Sequence, residues 1–275
     1  MYTFAVDIAS QTDLIAIIDP DGQLHIIGNG NGRYQFASVT KLITTNVIAE
    51  IVADGFVSFE EEVEDIYFSK GKVTLQDLLS HSSGIRPEYQ SCLPPRSKRV
   101  YTTEAFDIAE KHIIKKLGNG FENETIASIF AYGFKEELGC SISIEGSCGS
   151  GASGTADDLI LLLQEIREPK FISVEMQRFL TTPYFPELDG VLPGWGHFER
   201  NVWGVGYEIK GDKAPHWMGS KASKKSFGHF GLSGAFVMHD PENKISIASL
   251  SSENFGPWAK NSWPVMCDQI YSEFL

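Results

Sequence analysis

The stretch Phe36-Ala37-Ser38-Val39-Thr40-Lys41, continued by Leu42, Ile43, Val47, Ile48, Ile51 and Val52, decides how the chain is read. Apolar residues three and four apart predict a helix that opens at Ser38 and stops at Gly55. The run is rich in Val, Ile and Thr, which lose side-chain freedom in a helix, so it holds together only when packed on several sides. Ser38 and Lys41 form an S-x-x-K pair, and a spacing of three puts both side chains on one face within hydrogen-bonding reach. The helix N-terminus adds a positive field and unpaired N–H groups, which favour an alkoxide and a developing oxyanion. A lysine desolvated there has its charged form disfavoured and can take the serine proton. Taken alone, the pair suits an N-cap serine and a surface lysine equally well. Ser69-Lys70-Gly71-Lys72 repeats the pattern in polar, Gly-containing sequence and reads as a loop without function.

Outward from this helix the pattern changes twice. Residues 13–19 and 23–27 read as a β-hairpin around Pro20-Asp21-Gly22. Helices are expected at 104–117, closed by Gly118, and at 155–166, opened by a capping box of Thr155 and Asp158. Strand-like alternation returns at 202–210, 226–239 and 244–251, with a turn at Asp240-Pro241-Glu242-Asn243. A terminal helix is expected over 257–275, where Pro264 should kink it or delay its start. Strands, helices, strands and a helix in that order predict an α/β (α+β) fold in one unit over residues 1–275. An antiparallel sheet lobe (about 1–35 and 195–275) would carry an inserted, mainly helical lobe (about 36–194). The cleft between them is the natural place for a site.

Bulk properties exclude several functions. Against 36 acidic residues stand 23 Lys and Arg, a formal charge of −13, so phosphate backbones and anionic membrane surfaces are repelled. The opening MYTFAVDIASQT has no basic leader or long apolar run, and a cytoplasmic location is expected. Cys92, Cys140, Cys148 and Cys267 contain no C-x-x-C pair and read as reduced structural thiols. No His/Cys cluster has zinc spacing and no G-x-S-x-G elbow is present, so neither a metal nor an α/β-hydrolase is expected. Gly149-Ser150-Gly151-Ala152-Ser153-Gly154 does satisfy G-x-G-x-x-G and leaves a dinucleotide-binding enzyme as a minor alternative. It lacks the βαβ frame and the second strand that would carry the acidic ribose ligand. No cofactor is expected.

Several segments, in order, resemble the serine β-lactamase and penicillin-binding-protein superfamily, above all its branch of class C β-lactamases, D-Ala-D-Ala peptidases and related esterases. Residues 36–41 resemble its nucleophile helix. The segment 73–85, Val-Thr-Leu-Gln-Asp-Leu-Leu-Ser-His-Ser-Ser-Gly-Ile, is similar to its "V-T-L-x-x-L-L-x-H-T-S-G-L". Residues 151–163 resemble "G-x-x-S-T-A-x-D-L-x-x-F-L", Trp203-Gly204-Val205-Gly206-Tyr207 resembles "Y-G-L-G-W", and 228–234 resembles "G-H-T-G-x-x-G".

The resemblance implies Ser38 as nucleophile, Lys41 beside it, and Tyr101-Thr102-Thr103 in place of the Y-x-N motif. Thr103 stands where Asn is usual, so the amide that steadies the lysine and grips an acylamino group is absent. The third motif, K-T-G in many relatives, becomes His229-Phe230-Gly231. His229 would orient Tyr101 or face a substrate carboxylate. The oxyanion hole would use the backbone N–H groups of Ser38 and Leu232, with Gly231 permitting close approach. Tyr101, as phenolate or hydrogen-bonded to Lys41, would relay the proton to the leaving group, and Tyr132 is the next tyrosine to consider. The implied substrate is a small ester, amide or β-lactam, cleaved with an esterase-like or D-peptidase-like preference. A catalytically inactive binding or scaffold protein is the alternative that Thr103 keeps open. Relatives usually begin with a helix on the sheet, so here the C-terminal helix or a partner chain should cover that face.

Overall fold

The N-terminal hairpin forms as expected, from β1 (Leu14–Ile18) and β2 (Leu24–Gly28), with Leu14 opposite Gly28. The computed structural model describes residues 10–64, 66, 70–87, 92–118 and 120–275. After β3 (Tyr34–Gln35), a single 3-10 turn at Ala37–Val39 leads into α1 (Thr40–Ala53). Then come α2 (Leu75–Leu79), α3 (Glu104–Leu117), α4 (Ile126–Tyr132), α5 (Phe134–Leu138), β4 (Ser143–Ile144) and β5 (Ala152–Gly154). The helices α6 (Ala156–Arg167) and α7 (Val174–Leu180) precede β6 (Gly190–Leu192), β7 (Gly196–Phe198) and β8 (Glu208–Ile209). The chain closes with β9 (Phe227–Phe230), β10 (Phe236–Asp240), β11 (Ile245–Leu250) and α8 (Pro257–Phe274).

Early and late strands share one antiparallel six-stranded sheet in the order β2-β1-β11-β10-β9-β8. All of β1 is buried, because both faces of the sheet are covered. Leu14, Ala16 and Ile18 join the core built with α1 and α6. Ile15 and Ile17 point the other way, against Trp263, Met266 and Ile270 of α8. The C-terminal helix therefore covers the face that the sequence left open. It begins at Pro257 and runs on through Pro264, so that proline does not delay the start.

The helix α1 is buried on nearly every side, from Thr40 to Ala49 and again at Ile51, which is the packing its β-branched sequence demands. It starts two residues later than expected, and Ser38 lies in the 3-10 turn and is not an N-cap. The other helix signals carry their local physics. Gly118 ends α3 with φ +76°, and Thr155 with Asp158 closes a reciprocal capping box on α6.

Three expectations need correction. Residues 202–210 supply only β8; Trp203 bridges Glu208, and Gly204 N–H bonds Tyr207 O across a tight loop. The stretch 226–239 is split into β9 and β10 by a turn closed by Gly234 N–H to Gly231 O. The G-x-G-x-x-G segment ends in β5, which pairs antiparallel with both β3 and β4. A dinucleotide fingerprint needs a parallel βαβ unit, so that alternative fails.

The loop at 204–207 seats directly on α1. Gly206 has φ +74°, its N–H bonds Leu79 O, and a Cβ there would lie 1.8 Å from Thr45 Oγ1. Gly206→Ala combines a left-handed backbone with a collision in a packed interior and should cost about 1–3 kcal/mol. Gly22 shares the positive φ but faces open space. Differential scanning fluorimetry should therefore show a clearly larger loss of Tm for Gly206→Ala than for Gly22→Ala.

Candidate active site

Ser38 is presented by a strained turn. Ala37 has φ +45°, a left-handed conformation that L-residues other than Gly, Asn and Asp rarely adopt. Its carbonyl accepts from the Thr40 hydroxyl, and Thr40 Oγ1 in turn accepts from Ala152 N–H at 2.9 Å. Phe36 N–H bonds Ala152 O at 2.8 Å. The small sheet β3-β5-β4 thus clamps the turn that aims the serine.

Around Ser38 Oγ the structure gathers the predicted residues. Tyr101 Oη donates to it at 2.8 Å and Lys41 Nζ donates at 3.3 Å. Lys41 Nζ also reaches Thr103 Oγ1 at 3.3 Å and, most closely, Gly149 O at 2.7 Å. Lys41 is fully buried, and desolvation brings its pKa down to about 7, with Cys148, Asp107 and Glu104 acting in the opposite direction. Burial raises the Tyr101 pKa, so of its two expected states the neutral phenol is the one present. The bond that Tyr101 makes is to Ser38, while Lys41 Nζ lies over its ring, 5.0 Å from the centroid.

His229 sits in the same pocket wall with 2% exposure. Its Nδ1 bonds Phe230 O at 2.7 Å, and because a carbonyl only accepts, Nδ1 carries the proton. Burial, then Lys41, depresses its pKa to about 3, so the ring is neutral and Nε2 offers a lone pair. A lone pair repels a carboxylate; that half of the expectation for His229 is withdrawn.

Gly231 has a steric reason to be glycine. A Cβ there would come within 2.3 Å of Phe36 O and 3.0 Å of the Ala37 Cβ. This contact draws the β9–β10 turn onto the turn holding Ser38. The Leu232 amide, at the first corner, takes no part in the two bonds that close the turn, Gly231 N–H to Ala235 O and Gly234 N–H to Gly231 O.

Behind Tyr101 lies an aromatic stack that motif reading did not foresee as part of the site. His81 packs on the Tyr101 ring with centroids 4.4 Å apart, and Trp203 meets His81 edge-on at 4.8 Å and His229 at 5.4 Å. Trp203 is held in turn. Its Nε1 donates to Asn201 Oδ1 at 3.1 Å, and Lys213 Nζ donates to the same oxygen at 3.3 Å. Lys213 pairs with Glu208 at 2.8 Å, and all of this is buried. Burial opposes the Glu208 charge, yet Lys213 and His216 keep its carboxyl below the usual range.

The Gly149 carbonyl was also missed, because its glycine run was weighed only as a nucleotide motif. A Cβ on Gly149 would lie 2.8 Å from Thr103 Cγ2 and 3.1 Å from Phe106 Cβ, so only glycine lets the carbonyl approach Lys41. Tyr132, the second tyrosine considered, is 75% exposed and is not among the residues that meet at Ser38. Lys72 of the decoy motif is exposed and pairs with Glu62, while Ser69 lies outside the described residues. The four cysteines are free and buried. Among the described residues no cluster of His, Cys, Asp and Glu is arranged to hold a metal, and no helix is long and apolar enough to cross a membrane. Ser38, Tyr101, Thr103, Leu192, Pro193, His229, Phe230 and Leu232 line a cavity of about 90 Å³.

Comparison with known proteins agrees with this fold. The family model described as β-lactamase matches residues 29–119. No curated protein sequence matches. Among solved structures, a β-lactamase from Mycobacterium bovis aligns with a TM-score of 0.85 and 31% identity, over 96% of this chain and 95% of that one. Unliganded simvastatin synthase from Aspergillus terreus aligns at 0.75 with 14% identity, over 96% and 94% of the two chains. An octameric penicillin-binding-protein homologue from Pyrococcus abyssi aligns at 0.69 with 19% identity, over 95% and 74%. The last two share the fold. The first is similar in sequence along nearly its whole length, and the chain belongs to the β-lactamase family, within the superfamily of β-lactamase- and penicillin-binding-protein-like serine hydrolases.

Proposed function

We propose that the protein is a serine hydrolase that cleaves small uncharged esters through an acyl-enzyme on Ser38. One observation carries the reading: Ser38 Oγ is bonded at once by Tyr101 Oη at 2.8 Å and by a buried Lys41 at 3.3 Å whose pKa is brought to about 7. An amine with that pKa is substantially neutral at physiological pH, so it can accept the Ser38 proton as the serine attacks. The carbonyl oxygen takes up negative charge against the Ser38 and Leu232 amides. Tyr101, a neutral phenol, gives its proton to the leaving oxygen and is reprotonated from Lys41. Water then releases the acyl group by the reverse sequence.

Esters are favoured over β-lactams and D-peptides because both of the latter carry a carboxylate and an acylamino side chain. Thr103 has no amide for the side chain, and its hydroxyl is engaged by Lys41. His229 is neutral and turns a lone pair where a cation would be needed. Losing a hydrogen bond to a charged group costs about 1.5–3 kcal/mol, roughly ten- to a hundredfold in kcat/KM. An activated ester needs neither grip.

Ser38→Ala should abolish hydrolysis of p-nitrophenyl acetate and fluorophosphonate labelling without lowering Tm, whereas Lys72→Ala should change nothing. Labelling that persists at another serine would refute the assignment. Tyr101→Phe should lower kcat by about 10²–10⁴-fold, the usual size of a general acid–base contribution.

The same preparation should show kcat/KM for p-nitrophenyl acetate well above that for a chromogenic cephalosporin. Thr103→Asn should raise the cephalosporin value and leave the ester value in place. A parent enzyme that prefers the cephalosporin would make β-lactamase the better description.

Activity should rise as pH increases through about 7, as Lys41 loses its proton. Stability should follow a related course. The folded pKa lies below the ordinary 10.5, so between about 7 and 10.5 the unfolded chain binds more protons. Stability from this group therefore rises with pH across that window, by about 1.4 kcal/mol per unit, and is flat below it. Lys41→Met removes the titration. The Tm of the parent minus that of the variant should increase from pH 7 to pH 9; a constant difference would show that Lys41 is charged in the folded protein.

A further inference from the structure

We infer that the acyl group accepted beside Ser38 is short, uncharged and bears a hydrogen-bond donor, a hydroxyl or an N–H, that reaches His229 Nε2. The inference rests on the serine-hydrolase reading above. Size comes first. The cavity lined by Ser38, His229, Leu192, Pro193 and Phe230 measures about 90 Å³. This is far below the roughly 300–1,000 Å³ of pockets for drug-sized ligands. Its walls cannot readily retreat. Leu192 is 1% and Phe230 5% exposed, and both belong to the packed cluster that includes Trp217, Trp263 and Phe236. Interiors packed to that density give way only at a cost of about 1–3 kcal/mol. A longer acyl chain would have to leave past Leu232, which stands 62% exposed.

The second observation is chemical. Ser38, Tyr101 and Thr103, which line the cavity, already have partners: Ser38 accepts from Tyr101 and Lys41, and Thr103 accepts from Lys41. His229 differs. Its Nδ1–H is spent on Phe230 O, and Nε2, buried, has no partner among the described residues. A buried acceptor without a donor costs about 1–3 kcal/mol. A substrate hydroxyl or N–H would relieve that cost on binding, a methyl would not, and a carboxylate would add repulsion. The small apolar pocket and the unpartnered Nε2 of His229 thus select the same acyl class, such as a hydroxyacetyl group.

The test compares kcat/KM for p-nitrophenyl hydroxyacetate, methoxyacetate and octanoate on the parent enzyme. The first two share the α-oxygen and its inductive effect and differ in the donor. Hydroxyacetate should exceed methoxyacetate by about tenfold, after each is corrected for spontaneous hydrolysis, and octanoate should trail both. His229→Phe should bring the hydroxy-to-methoxy ratio near one; a ratio is insensitive to any general loss of rate. Leu192→Val, a mild trim of the wall, should improve octanoate relative to methoxyacetate. A second pair, the acetates of ethylene glycol and 2-methoxyethanol, places the donor on the alcohol, and a ratio that appears only there assigns His229 to the leaving group and overturns the proposal. So does a parent ratio near one with Ser38 still labelled by fluorophosphonate, which leaves the hydrolase reading intact. Failure to label Ser38 or to cleave any ester removes both.

Discussion

A lysine amine sealed from water with no carboxylate against it is the constraint around which the rest of this structure is arranged. Removing a charge from water without a counter-charge is expensive, so the group gives up its proton affinity and comes to titrate near neutrality. Its direct partners are all neutral: a backbone carbonyl, two hydroxyl oxygens and two aromatic faces. Each of these partners imposes something on the sequence. The carbonyl requires glycine at 149, and the serine hydroxyl requires the strained turn at Ala37. The faces require Tyr101 and Phe106 near the start of α3. Because α1 is buried on nearly all sides, the amine has no route to solvent along its own helix.

A site held this closely needs a rigid support, and the support is also a buried cation. Arg99 is 2% exposed, and its guanidinium donates to four carbonyls, those of Ser80, Tyr184, Phe185 and Asn201. Those carbonyls belong to three separate segments, so one planar fork of donors fixes their mutual position. The next residues continue the brace. Val100 N–H bonds His81 O, and Thr102 N–H reaches His81 Nδ1, leaving Tyr101 between two anchored neighbours. His81, against the Tyr101 ring, pays for its place with φ +59°, a second left-handed non-glycine residue after Ala37. Strain at Ala37 and at His81 persists because clamped backbone on either side leaves no relaxed alternative.

Much of this was legible in the sequence, and the reason differs from part to part. The helix α3 and the capping box of α6 are local events, set by spacing and by side chains a turn apart, and they fall where the pattern puts them. The six-stranded sheet was legible as an order of elements. Ser38 and Lys41 were legible because a spacing of three on a helix is itself geometry, and Tyr101 through the family resemblance at the start of α3. What escaped depends on the backbone and on long-range contact. A carbonyl such as Gly149 O has no residue type to announce it, and its glycine looked like part of a phosphate loop. The loop at 204–207 alternates like a strand, yet Gly206 bends it onto α1. Trp203 and His81 were quoted as members of matching segments, but their stacking on Tyr101 is visible only in three dimensions.

The arrangement also separates chemistry from recognition in a way that the shared fold permits. In the proposed reaction, the parts that would move protons and face the developing oxyanion come from the α1 entry, Tyr101 and the β9–β10 turn, and none needs a fixed formal charge. Glu208 and Lys213, behind the stack, are paired with each other and buried. The parts that would grip a charged substrate are the ones that differ: a hydroxyl at Thr103 and a neutral imidazole at His229. Preorganised dipoles stabilise an oxyanion whatever the rest of the substrate carries, whereas a carboxylate must find a cation or remain in water. On the proposed reading, a pocket without a fixed cation would lose nothing in the acylation step while discriminating against anionic substrates, and the preferred substrate would turn on two side chains, Thr103 and His229.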